Sequence, residues 1–376
     1  MNIKFDDIRP YTDAETAEAM KRIAVSEYFP ALAQFVFPDK DVREAQKIVS
    51  SYTTIYDFQK EAMFAFNQQV IARSIDNFTF SGTELLAPEK GYLFISNHRD
   101  IVLDSSLLQY LLHLKGFRTT EITFGSNLMS SQLIIDIGRS NKMFKVMRGE
   151  NPRDFYKTSL HLSEYIRDTI AGRNESIWIA QRSGRTKDGN DATDQGILKM
   201  FCMSGGTDAV QALHSLNIVP VAISYQFEPC DFFKTRELYL SRNGAKYIKE
   251  KDEDLISVLT GITQFKGKVH INICEPLRLE ELQSLAIEKS PNEFFKNAAS
   301  LIDRRIYSNY KLYDTNYIAH DLRSKTDAYA THYTPESREK FVQRYHQILD
   351  KFDDADKEIA GNIFLGIYAN SVDHAL

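Results

Sequence analysis

Apolar positions in the first 76 residues recur at helical spacing in three runs, one opening at Asp13-Ala14-Glu15-Thr16, one over 39–49 and one over 56–75. No strand pattern lies between them. Thr79-Phe80-Ser81-Gly82 breaks the periodicity, and short apolar runs then alternate with helical ones. Residues 92–95, 122–124, 143–147, 177–180 and 219–223 read as strands, each bounded by turn or capping residues. Helices fall between them. Leu103, Leu107, Leu111 and Leu114, with Leu108 and Leu112, keep one helical face apolar, and Phe155, Leu162, Ile166 and Ile170 do the same behind Asn151-Pro152. Pro220 has no N–H for a central ladder, so its strand is expected to begin at Val221. Val269, Ile271 and Ile273 alternate with Lys268, His270 and Asn272, the period of a half-buried strand that is expected to close the sheet. From Pro291 the pattern is helical again, with Thr334-Pro335-Glu336 as a cap and Phe341, Tyr345, Ile348, Leu349 and Phe352 on one face. The alternation predicts an α/β protein, a mixed central sheet flanked by helices. A helical N-terminal segment (1–76), an α/β domain (77–290) and a helical C-terminal extension (291–376) are expected.

Composition narrows the class. The 376 residues suffice for two domains, or for one large domain with an extension. With 43% apolar and 26% charged residues the chain is neither disordered nor collagenous nor a coiled coil. Cys202, Cys230 and Cys274 are odd in number and widely spaced, which writes neither a disulfide framework nor a zinc module and suits a reducing compartment. The first residues lack the basic-then-apolar run of a leader, and no apolar stretch reaches the ~18 residues of a membrane span. A cytoplasmic protein with peripheral membrane contact is expected. The net charge of −5 excludes a generally basic nucleic-acid binder.

Candidate chemistry concentrates where strands end, the place at which α/β folds hold ligands. Asn97-His98-Arg99-Asp100-Ile101-Val102-Leu103-Asp104 carries a strand through a polar loop into an apolar helix. A histidine there, with carboxylates within two helical turns, can have one ring nitrogen fixed while the other faces substrate, as a general base requires. Gly125-Ser126-Asn127-Leu128, Lys145 to Gly149, and Gln181 to Gly189 follow three further strands. From Arg139 to Lys187 there are 11 Lys/Arg and 5 Asp/Glu, a local net of 11 − 5 = +6 that suits an anionic ligand. Arg offers a planar donor fork for phosphate oxygens, and Gly184 lets backbone amides approach the same anion.

Asn97-His98 with a following Asp, Phe144 to Arg148 with Gly149, the 177–187 segment and Val219-Pro220-Val221-Ala222-Ile223 stand in the order of the four motif blocks of the glycerolipid acyltransferases. The chain resembles that family over roughly residues 80–280. With its N-terminal helical segment it looks most like the soluble plastid-type glycerol-3-phosphate acyltransferases. The resemblance implies transfer of a fatty acyl group from a thioester, on acyl carrier protein or coenzyme A, to a hydroxyl of glycerol 3-phosphate or 1-acylglycerol 3-phosphate at a membrane surface. It implies no metal, no cofactor and no covalent enzyme intermediate. His98 carries over as the base, and Arg148, Ser183, Gly184, Arg185 and Lys187 carry over to the phosphate.

Two departures stand out. The family separates His and Asp by four residues, whereas five lie between His98 and Asp104, and Asp100 is nearer. Asp104, at the start of the helix, is the expected partner, with Asp100 as its rival. Arg182-Ser183 replace the Glu-Gly of many members, which leaves open a lyso-aminolipid acceptor or a non-catalytic homologue that binds acyl carrier or lipid.

Overall fold

The computed structural model describes residues 3–147 and 152–375. Seven strands, β1 (Ile75–Ser81), β2 (Leu93–Ser96), β3 (Glu121–Gly125), β4 (Met143–Val146), β5 (Ile177–Ala180), β6 (Ile218–Tyr225) and β7 (Gly267–Ile273), form one sheet in the order β1-β7-β6-β2-β5-β3-β4. The five strands from β6 to β4 are parallel, while β7 runs antiparallel to β6 and carries β1 parallel beside it. The mixed, helix-flanked sheet expected from the alternation is therefore present.

Alternate residues of the central strands feed two cores. Leu93, Ile95, Ile177, Ile179, Ile218 and Ala222 join a core with helix Pro291–Ser308, whereas Phe94, Trp178, Val219, Val221 and Ile223 join a core with helix Leu103–Leu114. Both faces of β2, β5 and β6 are thus buried, which is why these strands read as continuous apolar runs. β7 keeps the period-2 pattern: Val269, Ile271 and Ile273 are buried and Lys268 is exposed.

Three expectations are corrected. The helical run over 56–75 ends at Ser74, and β1 follows immediately. Its partner β7 lies some 190 residues away, and as an edge strand it buries little, so the local pattern shows it poorly. β1, not β7, therefore forms that edge of the sheet. The break at Gly82 has a steric cause: at φ +83°, an added Cβ would lie 1.9 Å from the Ile273 carbonyl oxygen. Finally, β6 starts at Ile218 and contains Pro220. The Cys274 amide donates to the Pro220 carbonyl at 2.9 Å, so that edge of Pro220 faces β7, where registered pairing begins only at Val221 opposite Ile273. The missing N–H falls at the end of the ladder, where it forfeits one bond at most.

Candidate active site

The His98 loop leaves the carboxyl end of β2 between β5 and β6 and turns into helix Leu103–Leu114. Two carboxylates shape the turn. Asp100 Oδ1 accepts from the amides of Val102 (2.9 Å) and Leu103 (2.8 Å), satisfying donors that the helix start leaves open. Asp104 Oδ2 accepts from the amides of Arg99 (2.6 Å) and Asp100 (2.9 Å), folding the loop back over its own helix. The same oxygen lies 2.9 Å from His98 Nδ1, and Tyr225 Oη donates to Asp104 Oδ1 at 2.7 Å. The side chain of Asp104 is fully buried and that of His98 is 14% exposed.

An ionised carboxylate can only accept, so beside it Nδ1 carries the ring proton and Nε2 keeps its lone pair. Tyr225 remains a donor, since burial and then the charges of Asp104 and Asp100 hold its pKa far above the ordinary phenol value. Asp100 is held above the ordinary carboxylate range, first by burial and then by Asp104. Its Oδ2 has no hydrogen-bond partner, and it makes no bond to His98. The His98 ring meets Trp178 edge-on, with centroids 5.6 Å apart, and Trp178 Nε1 donates to Ser96 Oγ at 2.9 Å.

The loop after β5 is tied to this centre by the Thr186 amide, which donates to the His98 carbonyl at 2.7 Å. Ser183 and Gly184 are exposed there, and Gly184 adopts φ +77° with open space around it. Arg185 is partly buried and close enough to Asp100 and Cys230 to influence both. Its Nη1 is buried without a partner. Lys187 is engaged in an ion pair with Glu237. Arg148 lies outside the described residues.

Sequence reasoning missed the frame beneath the histidine. Arg99 is fully buried: Nη2 meets Asp191 Oδ2 at 2.6 Å and Nη1 meets Glu228 Oε2 at 3.3 Å. The buried Lys234 Nζ donates to Glu228 Oε1 and to the Arg99 carbonyl, both at 2.6 Å. Asn97 accepts from the Ile223 amide at 2.8 Å and donates to its carbonyl at 2.9 Å, fastening the loop to β6. Tyr225 could have been suspected, as it follows the fourth block on the same strand. Asp191, Glu228 and Lys234 carry no sequence signal, because burial alone distinguishes them from surface charges. Among the described residues, no group of three or more His, Cys, Asp or Glu is placed to hold a metal ion.

The acyltransferase family model matches residues 77–224, a span that runs from β1 into β6 and contains all four motif blocks. The chain carries an acyltransferase domain. That match bears out the resemblance to the glycerolipid acyltransferases and the reading of the chain as an acyl-transferring enzyme. Among solved structures, this acyltransferase is similar to the 1-acyl-sn-glycerophosphate (LPA) acyltransferase PlsC from Thermotoga maritima. The identity is 16%, the match covers 77% of this chain and 93% of that one, and the TM-score is 0.39. No curated protein matches the chain.

Proposed function

We propose that this acyltransferase moves a fatty acyl group from an acyl carrier protein or coenzyme A thioester to a hydroxyl of glycerol 3-phosphate or 1-acylglycerol 3-phosphate, as a step of phospholipid synthesis. The observation that carries the reading is the His98 to Asp104 contact of 2.9 Å, made by a carboxylate already held by two amides and a phenol. His98 Nε2 takes the acceptor's hydroxyl proton, the alkoxide oxygen attacks the thioester carbonyl, and the C–S bond breaks. The departing thiolate then takes the proton back from Nε2. Asp104 holds the ring and balances its transient charge. Ser183, Gly184 and Arg185, with Arg148 and Lys187, serve the acceptor phosphate. The buried, unpartnered Nη1 of Arg185 supports this role, since such a donor without an acceptor is rare in a folded protein.

The test is purified protein given a radiolabelled acyl thioester and a panel of acceptors, followed by lipid separation. His98→Ala is expected to lower turnover by about 10²–10⁴ in a folded protein. Unchanged turnover would remove His98 from the mechanism. Arg182-Ser183 in the third block favour one second reading, a lyso-aminolipid acceptor, which labelling of that lipid in place of the glycerol phosphates would establish. Among the described residues no helix is long and apolar enough to cross a membrane, and we place the protein peripherally on the cytoplasmic membrane surface.

A further inference from the structure

Five of the eleven basic residues from Arg139 to Lys187 are engaged within the fold. Arg139 donates to the Arg9 carbonyl, Lys142 pairs with Glu175, Arg167 donates to Ser215 Oγ, Arg173 pairs with Glu121, and Lys187 pairs with Glu237. A different surface has the character of a lipid contact.

Helix Glu253–Thr263 is amphipathic in the inverted sense. Glu253, Ser257 and Gly261, at i, i+4 and i+8, face inward and are buried. Leu255 (49% exposed), Ile256 (47%) and Leu259 (55%) face solvent, and Ile248 (80%) and Phe265 (49%) flank them. Single exposed apolar residues are ordinary, but five gathered on and beside one helix are not. The inward face lies on the candidate active site. A Cβ at Gly261 would come within 2.0 Å of Asp100 Oδ2, and Cys230 Sγ donates to the Ser257 carbonyl at 3.2 Å. One helix thickness, about 10 Å, therefore separates the outer apolar stripe from the His98 loop.

We propose that the outer face of helix Glu253–Thr263, with Ile248 and Phe265, is where the enzyme docks on a bilayer containing anionic lipid. The choice of lipid as occupant rests on the acyl-transfer reading, and two features of the face agree with it. Around the helix start the charges balance, four cations to four carboxylates, but they are not evenly exposed: Arg236 pairs with Glu250, Lys249 pairs with Asp254, and Glu253 is buried and accepts from Tyr247, so among the described residues Lys246 and Lys251 stand exposed and unpaired beside the exposed Asp252. Free lysines beside an apolar stripe match headgroup phosphates above acyl chains. The stripe is also small: five such side chains offer roughly a few hundred Å², short of the ~800 Å² per partner of a stable protein interface.

The test is flotation of the full-length protein with vesicles of phosphatidylcholine and phosphatidylglycerol. Leu255→Glu/Leu259→Glu is expected to lower the bound fraction by about tenfold or more, with thermal unfolding and turnover on a short-chain, water-soluble thioester unchanged. Lys246→Glu/Lys251→Glu should weaken binding to the anionic vesicles and leave any binding to pure phosphatidylcholine alone. Trp178 is the single native tryptophan and is buried, so Leu259→Trp supplies a second readout, a blue shift of emission on adding vesicles. Unchanged flotation of the Leu255/Leu259 variant, or no blue shift, overturns the proposal. So does a concentration-dependent dimer, seen by sedimentation and abolished by the same substitutions, because the face would then be a self-interface. Flotation is read without turnover: a protein that floats through this face yet transfers no acyl group keeps the docking surface and removes the function proposed above.

Discussion

At the scale of single residues, the two aspartates near His98 do different work although both are buried. Asp104 holds the ring and two amides, whereas Asp100 spends one oxygen on the helix start and leaves the other unpaired. Asp104→Asn loses the anion that fixes the Nδ1 proton, and is expected to cut turnover by about 10²-fold or more. Asp100→Asn keeps the Oδ1 acceptor and should leave turnover within a few-fold of wild type, about 1 kcal/mol in barrier at most. The pH dependence of stability separates them further. Asp100 has a folded pKa raised above its unfolded value of about 3.9, so its full contribution exists below that pH and is lost as pH rises through the folded pKa. The neutral Asn escapes that loss, so the melting temperature of Asp100→Asn should gain on wild type as the pH rises above about 4. A flat or shrinking difference would show that Asp100 ionises without penalty. Arg185→Ala should raise the Michaelis constant for the acceptor, with the loss of a charge-assisted bond worth ~1.5–3 kcal/mol. A rise confined to the thioester would assign Arg185 to the donor.

At the scale of elements, the strand-end loops are held by buried ion pairs. Arg99 draws the β2 loop to Asp191 in the segment after β5 and to Glu228 after β6, and Lys234 from helix Asp231–Leu240 completes the set. Two cations and two carboxylates leave no net charge, so the cluster is stable only as a whole. Arg99→Met would leave Asp191 buried without its cation, and is expected to cost about 3–5 kcal/mol in urea unfolding. A variant that unfolds within about 1 kcal/mol of wild type would show that water reaches the cluster and screens it.

At the scale of the whole molecule, the C-terminal extension is part of the fold that supports the site. Arg344 of helix Pro335–Leu349 makes a two-pronged contact with the buried Asp231, and Tyr368 of helix Lys357–Ala375 donates to the same carboxylate at 2.9 Å. Ser371 lies 3.4 Å from Arg99 Nη2. Phe364, Ile367, Tyr368 and Val372 are buried, so the apolar face of helix Lys357–Ala375 is spent on packing. Removing residues 357–376 should therefore yield a chain that is poorly soluble, lacks the wild-type unfolding transition and transfers no acyl group, with His98 itself untouched. A truncated protein that melts as wild type does would make the extension dispensable.

Much of the architecture was legible because β2, β5 and β6 are buried on both faces and helix Leu103–Leu114 keeps a leucine face: covalent order and period suffice to announce such elements. The His98 loop was legible for a related reason, since its parts are contiguous in the chain. β1 was not, because an edge strand takes its identity from a partner that the chain supplies only at β7. The passage of Pro220 through β6 also depended on where β7 stops, a fact of register and not of composition. The division of labour between Asp100 and Asp104 turned on backbone geometry: spacing placed both near His98, and only the folded loop aimed one oxygen at the ring. Whether a charged residue lies in the interior or on the surface is likewise a property of the assembled layers. The sequence by itself determined which elements form and which segment carries the histidine. The tertiary structure decided which charges are buried together beneath it and which face of helix Glu253–Thr263 is left outside, because burial is set by neighbours that are remote in the chain.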